Sequence, residues 1–181
     1  MKITKNIEVE IRSFISPEKY QELLVFFHQE GTFLNEDDQE TFYFDTEQDL
    51  RIQRNNTYSK IWLKKGKLHD EYREEIEIKF EKDNFETLEK LFLTLGYNTQ
   101  IKWFRKRHTF VWEEISVMLD YTKGYGYIIE LEKMSNLEEK ETIARLLKEK
   151  LASLKIPITS KEEFDAKYKY YKEHWQMLLK E

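Results

Sequence analysis

Along Ile7-Glu8-Val9-Glu10-Ile11-Arg12 every second residue is aliphatic and every second one is charged. A period of two is that of a β-strand, whose successive side chains point to opposite faces. The spacing predicts a first strand running to about Phe14. The same alternation recurs downstream. Leu50 and Ile52 oppose Arg51 and Gln53, and Ile61 and Leu63 oppose Lys60, Trp62 and Lys64. Ile76, Ile78 and Phe80 oppose Arg73, Glu75, Glu77 and Lys79, while Tyr127, Ile129 and Leu131 oppose Glu130 and Glu132. Arg105 and Arg107 share a face, and Asp120 ends a strand whose Val117 and Leu119 point the other way. Further strands are predicted around 40–45, 50–54, 58–65, 72–80, 103–112, 115–121 and 125–133.

Helix signals separate these runs. Ser16-Pro17-Glu18 supplies an N-cap, a proline at the first helical position and an early acid, predicting a helix to about Glu30 that stops at Gly31. A second is predicted over about 84–95, ending at Gly96, and a third from Asn136 to about Leu154, broken by Pro157. Ser160-Lys161-Glu162-Glu163 forms a capping box for a last helix. The order β-α-β-β-β-β-α-β-β-β-α-α, with short turns between strands, predicts an α+β fold: an antiparallel sheet with helices packed outside.

A sheet with one dry and one wet face accounts for each strand taken singly. The set as a whole is unusual, because its polar faces are almost purely carboxylate and basic and hold few neutral polar residues. Like charges at i and i+2 lie about 7 Å apart and repel mildly unless something compensates them. Divalent cations on the carboxylates and phosphate oxygens on the basic groups would compensate both. The alternation leaves both readings open.

Composition narrows the field. Charged residues make up 36% of the 181, above the roughly 25% of an average soluble protein, so the charged faces are a property of the whole chain. A net charge of −5 speaks against a nucleic-acid partner. The absence of cysteine removes disulfides and thiolate metal sites, leaving carboxylates and four histidines, His28, His69, His108 and His174, which show no ligand spacing. No apolar run suggests a leader or a membrane span, so a cytoplasmic location is expected. With few glycines and prolines for linkers, residues 1–181 are read as a single domain. Trp62, on a charged face, either stacks an aromatic group or fills space; the tail aromatics Tyr168, Tyr170, Tyr171 and Trp175 read as packing.

Seven elements in order resemble the CYTH domains, the triphosphate tunnel metalloenzymes that include class IV adenylyl cyclases, thiamine triphosphatases and inorganic tripolyphosphatases. They are Glu8-x-Glu10-x-Arg12, Tyr43-Phe44-Asp45, Leu50-Arg51-Ile52-Gln53, Lys64 or Lys65 before Gly66, Arg73-x-Glu75-x-Glu77, Leu95-Gly96-Tyr97 followed by Arg105 and Arg107, and Asp120 with Gly126, Glu130 and Glu132. The chain departs from the family pattern with Arg12 for a lysine, Gln53 for a basic residue, Thr41 where an acid is usual and Ile128 for a phenylalanine, and it shows no C-terminal Ser-Tyr element.

The resemblance implies a closed eight-stranded antiparallel β-barrel over residues 1–133, with C-terminal helices over 134–181. It implies a metal site of Glu8, Glu10, Asp120, Glu130 and Glu132 taking Mg²⁺ or Mn²⁺. Arg12, Arg51, Lys64, Arg73, Arg105 and Arg107 would hold phosphates, and Glu75 and Glu77 would support them. Glu8, Glu10, Glu132 and Arg51 would carry catalysis. The expected partner is a triphosphate-containing small molecule, with no nucleic acid or membrane and a possible homodimer. The expected activity is hydrolysis of inorganic triphosphate or of a nucleoside or organic triphosphate, with adenylyl cyclisation or non-catalytic binding as alternatives.

Overall fold

A computed structural model describes residues 7–64 and 75–180, with Lys64 and Glu75 described by their backbone alone. The expectations for Lys65, Gly66 and Arg73 lie outside the described residues. The strands are β1 (Ile7–Ile15), β2 (Thr32–Phe44), β3 (Asp49–Arg54), β4 (Tyr58–Lys64), β5 (Glu75–Glu81), β6 (Thr99–Trp112), β7 (Ile115–Thr122) and β8 (Gly126–Ser135). The helices are α1 (Pro17–Glu30), α2 (Phe85–Thr94), α3 (Lys140–Ser153) and α4 (Lys161–Leu178). Element types and their order follow the alternation and the capping signals. One eight-stranded sheet has the order β1-β8-β7-β6-β2-β3-β4-β5. Neighbouring strands pair antiparallel, as in β1 with β8 and β3 with β4. The order ends in β1 and β5, so the ring closure that the resemblance implies is not part of the hydrogen-bonded order among the described residues.

Three boundaries differ from expectation. β2 begins at Thr32 rather than near residue 40, so the polar stretch Asn35–Gln39 is strand despite the low strand propensity of Asn and Asp. β6 likewise begins at Thr99 rather than near Trp103. Asn136 does not open α3 directly. Its Oδ1 accepts from the amides of Glu138 and Glu139 at 3.0 and 2.9 Å, making a side-chain turn one step before the helix.

The chain forms two compact units. The first comprises the residues up to Glu36 together with Arg107–Lys169. Its core joins Leu23 and Phe27 of α1, Phe110 of β6, Val117 and Leu119 of β7, Ile129 and Leu131 of β8, and Leu147 and Leu151 of α3. These strand residues are the apolar half of the alternation, so the opposite half, with the acids, faces away from α1 and α3. Ser16 caps α1 by accepting from the Lys19 amide at 3.1 Å. Gly31 ends it where a Cβ would lie 2.9 Å from the Phe27 carbonyl oxygen.

The second unit comprises Asp37–Lys106 and the chain from Tyr170 onward. Phe42, Phe44, Ile52, Phe85 and Leu88 form its core, so α2 covers the apolar face of β2 and β3. Asp45 ties the end of β2 to the approach to β6, accepting from the Asn98 amide and side chain at 2.6 and 2.8 Å. Among the described residues no helix is long and apolar enough to cross a membrane.

Phe27 is fully buried against Phe110 and Trp112. Phe27→Ala is expected to lower the stability of the first unit by about 3–5 kcal/mol, the usual effect of emptying a buried aromatic site, as read from urea denaturation.

Candidate functional site

In the first unit the register assembles the predicted acids on one face. Glu10 lies directly opposite Glu132, and Arg12 opposite Glu130. Asp120 pairs with Ile128 one strand further, on the same side of the sheet. Arg107 binds Asp120 through two parallel hydrogen bonds, Nε to Oδ1 at 2.7 Å and Nη2 to Oδ2 at 2.6 Å. Its Nη2 also lies 3.6 Å from Glu130 Oε2. Burial opposes the charge on Arg107, but Asp120, Glu130 and Glu10 outweigh it and hold the guanidinium pKa above its ordinary value.

Two neighbouring carboxylates are shifted toward the protonated form. Burial pushes Glu132 up to about 7, and the charges of Glu8 and Glu130 add to the effect against Arg107. Glu10 is also raised, first by burial and then by Glu8 and Glu132, although Arg12 and Arg107 oppose this. Arg12 Nη1 stands 3.7 Å from Glu10 Oε1, and its guanidinium lies 4.8 Å over the ring of Phe164. Among the described residues no three acids or histidines converge at metal-ligating spacing. Glu8, Glu10 and Glu132 carry the oxygen donors that a hard divalent cation takes, without a preformed coordination sphere.

The second unit gathers basic groups. Two rows cross its strands, Tyr43–Arg51–Trp62–Glu77 and Thr41–Gln53–Lys60–Lys79. Arg51 grips Asp49 through Nε and Nη2 at 2.6 and 2.5 Å, with its guanidinium 4.3 Å from the Tyr43 ring centroid and 5.0 Å from that of Trp62. Lys60 Nζ binds Glu77 at 2.7 Å. Burial raises Glu77, but Lys60 and Lys79 more than offset it and lower its pKa. Arg105 donates through Nε and Nη2 to Gln39 Oε1, at 2.8 and 2.5 Å. Lys64 stands opposite Asp49 and Glu75 in register. Tyr171 of α4 packs against Trp103 and donates to the Lys102 carbonyl at 2.8 Å, the packing expected of the tail aromatics.

A family model described as CYTH domain matches residues 6–168. The chain belongs to the CYTH domain family. None of the curated proteins matches it by sequence. Among solved structures it is similar to a conserved hypothetical protein of Pyrococcus furiosus, at 24% identity and a TM-score of 0.65, over 83% of this chain and 91% of that one. It is also similar to HpAC1 of Hippeastrum, an adenylyl cyclase candidate described as revealing a dominant triphosphatase activity. That likeness has 22% identity and a TM-score of 0.63, over 86% and 92% of the two chains. A third likeness is to an adenylate cyclase candidate of Bacillus halodurans, at 18% identity and a TM-score of 0.62, over 85% and 92%. At these identities the likeness is one of fold.

Within this CYTH domain the two departures at Thr41 and Gln53 prove to be partners. They face each other across β2 and β3, both buried, and Gln53 Nε2 donates to Thr41 Oγ1 at 2.9 Å. A neutral pair therefore stands where the family pattern has an acid and a base. Asp49 and Gln39 were missed by sequence reading. Asp49 had a signal, since Asp-x-Arg puts both side chains on one strand face. Gln39 lay just before the expected start of its strand. His108 belongs to a separate set, 3.0 Å from Tyr20 Oη through Nδ1 and 3.3 Å from Glu36 through Nε2.

The raised Glu132 pKa fixes a sign. The folded protein keeps a proton that the unfolded chain releases near the ordinary value of 4.5, so this contribution to stability fades as pH rises through about 7. In chelator, Glu132→Gln is expected to raise the melting temperature at pH 8 and to change it little at pH 5, as measured by calorimetry.

Proposed function

We propose that this CYTH domain processes a triphosphate-containing small molecule together with Mg²⁺ or Mn²⁺, and that its reaction is hydrolysis of inorganic triphosphate or of a nucleoside or organic triphosphate. The observation that carries the reading is the meeting of Glu10 and Glu132 across β1 and β8, both raised by burial and by neighbouring acids. Arg107 serves Asp120 and Glu130, while burial raises the pKa of both Glu10 and Glu132, with Glu8 and Glu132 adding to it at Glu10 and Glu8 and Glu130 at Glu132. A divalent cation relieves that repulsion, and Glu8, Glu10 and Glu132 would hold it, with Glu130 and Asp120 beside them.

When bound, the cation would neutralise phosphate charge and acidify a water molecule. Arg51, Arg105, Arg107 and Arg12, with Lys64 and Arg73, take the phosphate oxygens; guanidinium forks suit this because each can hold two oxygens. Asp49 and Gln39 orient two of these forks in advance, and Glu77 does the same for Lys60. Water attacks the terminal phosphorus, the bond to the bridging oxygen breaks, and orthophosphate and diphosphate leave. A carboxylate beside the cation would accept the proton from the attacking water. Positioning and charge neutralisation supply most of such catalysis.

Adenylyl cyclisation is the second reading, supported by the likeness in fold to the Bacillus halodurans protein. There the ribose 3′-hydroxyl attacks the α-phosphorus and pyrophosphate leaves. Phosphorus NMR with tripolyphosphate and with ATP, each with Mg²⁺ or Mn²⁺, separates the two. Hydrolysis is expected to yield orthophosphate, and the Glu8→Gln/Glu10→Gln variant is expected to lose it by about 100-fold or more. Cyclic AMP with pyrophosphate would establish the cyclase instead. Metal-dependent binding without turnover would leave a binding module.

A further inference from the structure

Trp62 is an aromatic residue on a charged face that neither the acid set nor the phosphate set uses. It is half-buried on β4, opposite Arg51 on one side and Glu77 on the other. Two cations share its indole. The Arg51 guanidinium carbon lies 5.0 Å from the ring centroid and Lys60 Nζ lies 4.3 Å from it. On the far side of Arg51 the Tyr43 ring is 4.3 Å away, so the guanidinium stands between aromatic groups from both flanking strands.

Each cation already has a carboxylate, Asp49 for Arg51 and Glu77 for Lys60. A further carboxylate at position 62 would gather the two cations but cancel their charge. An indole attracts cations through its quadrupole and carries no net charge, so it draws Arg51 and Lys60 together without adding negative charge. Being rigid, it also fixes where they stand. We propose that Trp62 is a positioning residue that holds Arg51 and Lys60 side by side to receive a polyphosphate. The inference rests on the triphosphate reading above.

The test is calorimetric titration with imidotriphosphate, a slowly hydrolysed analogue of tripolyphosphate, in Mg²⁺, using the full chain. Wild type, Trp62→Phe, Trp62→Leu, Arg51→Ala and the Trp62→Leu/Arg51→Ala double variant are compared after circular dichroism confirms their fold. Trp62→Leu is expected to bind about tenfold more weakly, the scale of one partly desolvated cation–π contact, and Trp62→Phe to recover most of the loss. In turnover of tripolyphosphate, KM rises in Trp62→Leu while kcat changes little. Because Trp62 acts through Arg51 as well as Lys60, its removal costs clearly less than tenfold in the Arg51→Ala background. A second readout leaves the native indole in place. The wild-type emission spectrum less that of Trp62→Phe is expected to shift on adding the analogue, as both cations turn toward phosphate.

Unchanged affinity in Trp62→Leu, a full tenfold loss in the Arg51→Ala background, or no emission shift would each overturn the positioning role. Loss of ATP affinity with imidotriphosphate affinity intact would overturn it in favour of a base-stacking platform. Wild type that fails to bind imidotriphosphate would overturn the triphosphate reading and this inference with it, whereas wild-type binding matched by Trp62→Leu would overturn this inference alone.

Discussion

Arg107 organises the acidic face of the first unit. Its fork closes on the buried Asp120 and reaches Glu130, so one cation serves acids on β7 and β8. Removing the charge from water is costly, and the pair holds because its geometry is bidentate and the attraction acts away from solvent. This allocation decides what is left over. Glu10 faces Glu132 with Arg12 Nη1 3.7 Å from the Glu10 carboxylate, and burial drives Glu132 toward neutrality. Two carboxylates meeting at reduced exposure, each with its pKa raised by burial and by its neighbours, are a poor way to build a wet surface.

The second unit solves the converse problem. Its cations are steadied by neighbours before any ligand arrives: Arg51 by Asp49, Tyr43 and Trp62, Lys60 by Glu77 and Trp62, and Arg105 by Gln39. Preorganisation of this kind lowers the entropy lost on binding, because long side chains are already fixed in place. Thr41 and Gln53 are both buried and neutral, and one hydrogen bond joins them, so the two departures from the family pattern meet in a single contact.

Much of this was legible in the chain because strand periodicity fixes which side chains share a face. The alternation put Glu8 with Glu10 on one face of β1 and Glu130 with Glu132 on one face of β8, and the register then set Glu10 against Glu132. What stayed hidden depended on partners distant in sequence. Strand pairing extends β2 back through Asn35–Gln39, where local propensity argues against a strand, and so Gln39 reaches Arg105. The bond between Thr41 and Gln53 needs the β2–β3 register, which no local pattern reports. Asn136 has the signature of a helix start but spends its side chain on a turn that precedes α3.

The central claim is that a divalent cation joins the carboxylates that meet across β1 and β8. Metal ligands must shed their protons, so binding to a half-protonated Glu132 releases acid. The decisive measurement is proton release on titrating Mn²⁺ into chelator-treated protein at pH 7, in weak buffer with a pH indicator. With Glu132 near pKa 7, about half a proton per bound Mn²⁺ is expected, and Glu132→Gln is expected to bind more weakly and to lose that release. Mn²⁺ binding that releases no protons, or that is undiminished in Glu132→Gln, would contradict the account.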